Sequence, residues 1–307
     1  MLWTISSYFN PVGYANRLRN YRIFRANLAT PLAVVELSLN GKFELSKSDA
    51  EIVVQITGGD VLWQKERLLN LALRCLPDDC NHVAWVDCDV IFLDHDWARR
   101  ADRALKEFRL IQPFRERCNL SRDARIFSGN DIACDSISKS VGYKIVMDEA
   151  QAEDFGQSNA PLTRNSTAGL AWAARCELLE AHGLYDACIL GSTDRAILCA
   201  AMGIFESGVN AVGMRGRQIE HYLRWAEPFH RAVGGRVGFI DGRVLHLWHG
   251  DLRNRKYAER HEGLSRFVFD PFSDIVLDPS GCWRWNGSKP EMHEYVKAYF
   301  KSRKEDG

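Results

Sequence analysis

Short apolar runs near the start of the chain limit its architecture more than any other feature. LWTISSYF (2–9), LAVVELSL (32–39) and AEIVVQIT (50–57) are strand-forming and apolar along most of their length, as expected of strands buried on both faces. Helical periodicity fills the spaces around them. GYANRLRNYRIFRANL (13–28) spreads Arg17, Arg19, Arg22 and Arg25 among apolar residues, and WQKERLLNLALRCL (63–76) aligns Leu68, Leu69, Leu71, Ala72 and Leu76. A fourth run, VAWVDCDVIF (83–92), follows. Strand, helix, strand order of this kind predicts an α/β fold with a mostly parallel, Rossmann-like central sheet flanked by helices.

Composition excludes several classes. With 46% hydrophobic residues among 307, the chain has enough apolar material for one large core and is not disordered. Forty basic residues balance forty acidic ones, so no global field captures a polyanion, and nucleic acid is not a favoured partner. The arginine-bearing helix is the one local candidate, and a solvated basic face explains it. Nine cysteines stand singly without C-x-x-C pairs, which predicts free, buried thiols in a reducing, cytoplasmic setting. No apolar run is long enough to span a bilayer.

The fourth run raises the functional question, because two carboxylates, Asp87 and Asp89, interrupt it with one residue between them. On a continuous strand they would point to the same side, near the carboxyl end where open α/β sheets bind ligands. Two like charges held together call for a cation, although a pair of solvated acids is the simpler reading. Far along the chain, GRVLHLWHGDLRNRKY (242–257) supplies His246 and His249. Imidazoles with a carboxylate suit Mn(II) or a similar ion better than Ca(II). Asp89, His246 and His249 are therefore the candidate metal ligands, with Mg(II) as the alternative ion.

Four segments in order resemble the GT-A glycosyltransferases, most nearly the beta-1,4-galactosyltransferases and the related N-acetylgalactosaminyl transferases. WQKERLLNLAL leads into HVAWVDCDVIF; NSTAGLAWAARCELLEAHGLYD (165–186), ILGSTDRAIL (189–198) and VLHLWHG follow. The resemblance covers residues 1–255 as a catalytic domain and leaves 256–307 as a small C-terminal extension packed against it. It implies a metal-dependent hexosyltransferase that moves a sugar from a nucleotide-sugar, a UDP-sugar above all, to a glycan or other hydroxyl, with inversion. Asp194 falls at the catalytic acid of the family's G-G-E-D segment and Gly191 at its first glycine. The family's glutamate is Thr193 here, which leaves acceptor choice open.

The chemistry assigns the remaining candidates. A carboxylate must take the proton of the attacking hydroxyl, and Asp194 is placed to do so, unless it, Ser192 or Thr193 merely caps the following helix. Asp87, Lys65 and Arg67 are candidates for the donor's ribose and phosphates, although a helix-surface ion pair also explains the two basic residues. Ser7, Tyr8 and Phe9, at the end of the first run, and Trp248, between the histidines, are donor-site candidates. Trp172 is an acceptor platform or a core residue. Arg215 and Arg217 suit a lid or a plain loop, and Trp283 and Trp285 a second platform or packing. A transferase acting on a nucleobase in DNA and a metal-dependent nucleotidyltransferase remain as alternatives. For the second, SYFNPVGYANR is a poor phosphate loop.

Overall fold

The computed structural model describes residues 1–124, 132, 134–147, 149, 166–257 and 259–307. Asn165, at the head of one family-like segment, lies outside them. The strands, in chain order, are β1 (Leu2–Phe9), β2 (Leu32–Ser38), β3 (Ile52–Thr57), β4 (His82–Val86), β5 (Val90–Phe92), β6 (Leu110–Gln112) and β7 (Glu116–Leu120). They continue with β8 (Cys134–Ser140), β9 (Ser166–Thr167), β10 (Ala171–Arg175), β11 (Val237–Phe239), β12 (Arg243–His246), β13 (Ile275–Leu277) and β14 (Trp283–Trp285).

Seven strands form the central sheet in the order β11-β6-β10-β4-β1-β2-β3. Every neighbouring pair is parallel except the two that β10 makes with β4 and β6, so the expected mostly parallel α/β sheet is what forms. The alternation within β1 shows why such strands read as continuously apolar. Ile5 and Phe9 enter the core on one face, with Leu68, Trp85 and Phe300, while Leu2 and Tyr8 enter the core on the other, with Phe24, Val34 and Trp97. Met292, Val296, Tyr299 and Phe300, on the Pro290–Ser302 helix, join the first of these cores. Proline at the first position of that helix fits its missing N–H and fixed φ.

A second sheet, β5-β12-β7-β8-β9, lies beyond β4 in the chain. Its β7 and β8 are antiparallel neighbours that bring Cys118 and Cys134 to a Cα separation of 5.4 Å, where they form a disulfide. This corrects the expectation that all nine thiols are free: pairing across two strands leaves no trace in sequence spacing. Among the described residues, no helix is long and apolar enough to cross a membrane.

Candidate active site

The acids of the D-C-D triplet are not on one strand. β4 ends at Val86 in the central sheet and β5 begins at Val90 in the second sheet, so Asp87-Cys88-Asp89 is the turn that passes the chain between them. The Asp87 N–H donates to the Leu170 carbonyl at 2.8 Å, and the Val90 N–H donates to the Asp87 carbonyl at 3.2 Å. Strand alternation therefore does not apply, and the expectation that both acids share a side is corrected. Each carboxylate has its own surroundings.

Asp89 faces the histidines. One ligand atom from each of Asp89, His246 and His249 lies within 4.8 Å of the other two. His249 Nδ1 is 3.3 Å from Asp89 Oδ2, and His246 Nε2 is 3.9 Å from Asp89 Oδ1. β12 delivers His246 beside Val90, because the antiparallel β12–β5 register pairs those two residues. Asn119, on the other flanking strand, accepts the His246 Nδ1–H at 2.8 Å, which fixes the ring and leaves Nε2 with its lone pair toward Asp89.

The fit to a cation rests on what these groups lack. Asp89 Oδ1 is buried and has no hydrogen-bond partner. Burial, with the Asp87 charge second, pushes the Asp89 carboxyl up to about 7. Burial, followed by Arg117 and Arg255, pulls His246 down to about 3, and burial with Arg255 takes His249 well below its usual range. Neutral imidazoles cannot balance the carboxylate. A one-carboxylate, two-imidazole donor set suits a first-row divalent ion such as Mn(II).

Asp87 has a cation already. Lys65, in the first turn of the Lys65–Leu73 helix, places Nζ 2.6 Å from Asp87 Oδ1 and 3.4 Å from Asp194 Oδ2. Burial alone would lower the ammonium's pKa, but Asp194 and Asp87 carry it well above the lysine range. Asp194 is raised by burial and held back by Lys65. It stands in the first turn of the Thr193–Met202 helix but does not cap it. Ser192 occupies the cap position at φ 68° without a side-chain cap bond, its Oγ engaged by His261 Nε2 at 2.8 Å and Arg260 Nη2 at 2.7 Å. Room for the Asp194 carboxylate comes from Gly169, where a Cβ would lie 3.0 Å from Oδ2. The next residue, Leu170, holds φ 82°, an unusual value for a branched side chain, and its carbonyl anchors Asp87.

The other candidates divide. Ser7 is half-buried, two residues past the Ile5–Trp85 pairing and so level with Asp87. Gly191 adopts φ 80° against the Trp63 ring, where a Cβ would approach within 3.0 Å, so its role is to let that turn close. Tyr8 is 1% exposed, packed edge-on to Tyr21 with its hydroxyl donating to Glu44, so no ring face is open to a base. Trp172 is likewise 1% exposed, stacked on Trp85 with its N–H donating to the Ala168 carbonyl, and acts in the core rather than as a platform. Arg67 turns away from the site, pairing with Asp186 at 3.3 Å and donating to the Gly281 carbonyl. Phe9 packs edge-on to Phe300.

Trp248 lies under Arg122 and lines a hollow of about 790 Å³ with Asn16, Arg19 and Asp306, which none of Asp87, Asp89 and Asp194 lines. Arg217 is tied to Asp270 at 3.0 Å, and Trp285 is stacked on His293. One residue escaped sequence reasoning. Glu66 is 3% exposed, accepts a hydrogen bond from Trp63 Nε1 at 3.1 Å, and is pushed up to about 8 by burial against the pull of Lys65. A charged residue on the buried side of an amphipathic helix was the only available signal.

No protein-family model matches the chain, and no curated protein matches it in sequence. Among solved structures, it is similar to S. aureus TarS 1–349 in complex with UDP, at 12% identity and TM-score 0.38. That match covers 86% of this chain and 65% of the other, less than two thirds of its length. It is also similar to 4-diphosphocytidyl-2C-methyl-D-erythritol synthase from Anaerococcus prevotii DSM 20548, at 10% identity and TM-score 0.35, covering 79% and 87%. A putative nucleotide-diphospho-sugar transferase from Desulfovibrio desulfuricans G20 matches at 10% identity and TM-score 0.33, covering 87% and 96%. Likeness at this level says nothing of the chemistry, which depends on the side chains themselves.

Proposed function

We propose that the chain is a metal-assisted GT-A-type glycosyltransferase that moves a hexose or hexosamine from a nucleotide-sugar, a UDP-sugar in the first instance, to an acceptor hydroxyl with inversion. The observation that carries this reading is the buried, unpartnered Asp89 Oδ1 facing two neutral imidazoles, beside a second carboxylate pair that has its own cation. Asp89, His246 and His249 would hold the ion, which when bound supplies positive charge to the departing diphosphate. The Asp87 carboxylate and Ser7, level with it on the adjoining strand line, are the groups offered to the donor's ribose.

Asp194 is the base. Its carboxylate takes the acceptor hydroxyl's proton as the oxygen attacks; burial raises its pKa, and Lys65 opposes that rise and favours the ionised form. Lys65 also holds Asp87 and Asp194 on one ammonium, which fixes the donor side relative to the base.

A calorimetric titration of UDP with and without Mn(II) tests the reading. Binding that needs the metal and is abolished by Asp89→Ala and by His249→Ala is the expected result. UDP bound equally well without metal, or by the Asp89→Ala variant, would exclude it.

A further inference from the structure

At the end of β4 away from the D-C-D triplet, two thiols meet. Cys80 Sγ and Cys176 Sγ are 3.0 Å apart, the residues are 8% and 5% exposed, and neither is in a disulfide. The antiparallel β4–β10 register sets them there. It pairs Val86 with Ala171 at the site end and His82 with Arg175 at the other, and the Cys176 N–H carries the pairing one step further by donating to the Asn81 carbonyl at 2.9 Å. Cys80 is held by its own N–H on the Pro77 carbonyl at 2.9 Å, and its thiol donates to the His82 carbonyl at 3.3 Å. With both backbones fixed, an approach of about 1 Å brings the sulfurs to bonding distance.

The topology gives the pair its significance. Between Cys80 and Cys176 the chain leaves the central sheet through the D-C-D turn, builds β5, β7, β8 and β9 of the second sheet, and returns as β10. Asp87, Asp89 and Asn119 travel on that excursion. A bond between the two cysteines would tie its two ends, 96 residues apart in sequence, whereas the Cys118–Cys134 disulfide spans 16. Closing the longer loop removes more freedom from the unfolded chain.

We propose that Cys80 and Cys176 are a redox pair, closed by exchange with a small-molecule disulfide such as oxidised glutathione into a second disulfide that staples the excursion bearing the D-C-D turn. The Cys80 thiolate attacks one sulfur of the small disulfide and expels the other as a thiolate, leaving a mixed disulfide. The Cys176 thiolate then attacks the Cys80 sulfur, forms the Cys80–Cys176 bond and expels the second small thiolate. Two protein thiols lose two electrons and two protons, and the small disulfide leaves as two thiols. The order follows from the surroundings. The bond with Cys176 holds the Cys80 thiol below its ordinary pKa against burial, while that same bond, followed by burial, pushes Cys176 up.

The test uses the full chain in mild urea below its unfolding transition, where local opening gives oxidised glutathione access to the pair. After equilibration and acid quenching, the protein is cut without reductant for peptide mass spectrometry. The expected result is a linked peptide pair holding Cys80 and Cys176, with five alkylatable thiols after denaturation in place of seven. Cys176→Ser should stop at the mixed disulfide, with glutathione on Cys80, and Cys80→Ser should leave Cys176 unmodified. In a Cys118→Ser, Cys134→Ser variant, where redox changes report on this pair, the urea midpoint should lie about 1 M higher oxidised than reduced. Should that variant lose its fold, the oxidised wild type is compared with oxidised Cys176→Ser instead. Separate alkylation of Cys80 and Cys176 after equilibration, or linkage of either to another cysteine, overturns the inference. A linked protein that unfolds at the unlinked midpoint overturns the staple.

Discussion

Asp87 and Asp89 stand one residue apart and meet opposite surroundings. Asp87 shares the Lys65 ammonium with Asp194, so that half of the site carries its own cation. Asp89 meets two imidazoles kept neutral by burial, and one of its oxygens has no partner. The difference teaches that the D-C-D triplet is two sites joined by a turn. Under the proposed function the first would serve proton transfer and the second would receive an external ion.

That contrast can be broken at several points. The largest effect is expected on the Asp89 side, where His249→Ala should weaken Mn(II) binding by more than about 100-fold, beyond the usual cost of losing an outer partner. Calorimetry reads it directly, and the same substitution should leave the Lys65 half intact. On that other half, Lys65→Met leaves two half-buried carboxylates without their ammonium and should cost about 1–2 kcal/mol in urea denaturation, less than for a fully buried pair. Mn(II) affinity should stay within a few-fold, and a large loss would show that the halves are one site.

Asn119→Ala frees the His246 ring and should lower Mn(II) affinity about 10-fold to 100-fold, with little change in stability. The pH dependence sharpens the same point. With the Asp89 carboxyl near 7 and His246 near 3, protons compete for the carboxylate and not for the imidazoles. Metal affinity should therefore fall as pH drops below about 7, with about one proton released on binding at pH 6 and almost none at pH 8, measured in buffers of different ionisation enthalpy.

The smallest effect is expected at Glu66. Its carboxyl is raised to about 8, so the folded state keeps it protonated, and below the unfolded carboxyl range, where both states are neutral, the amide of Glu66→Gln should change stability by less than about 1 kcal/mol. The sign follows from the raised value. The folded state prefers the protonated acid, so stability declines from the unfolded carboxyl range up to pH 8, and the variant should flatten that decline.

Much of this molecule was legible because strand and helix periodicity depend on neighbours in sequence. β1 fell at Leu2–Phe9 as expected, and β2, at Leu32–Ser38, falls within the second apolar run. Residue type also carried the candidate ligands, since carboxylates and imidazoles have few reasons to interrupt apolar strands. What stayed hidden depends on partners far along the chain. Lys65 meets Asp194 across 129 residues, Cys118 meets Cys134 across two strands, and the break between β4 and β5 is set by which sheet each joins. Tyr8, Trp172 and Arg67 could not be assigned to core or cleft for the same reason. An aromatic or arginine of given type serves a core or a cleft equally, and only the neighbouring layers decide.

The most direct measurement is an anomalous difference map from a crystal of the protein soaked in Mn(II). One peak among Asp89, His246 and His249, with none beside Lys65, is the expected result. A peak between Asp87 and Asp194, or no peak at the triad at saturating Mn(II), would contradict the division of the turn into a proton-transfer half and a metal half.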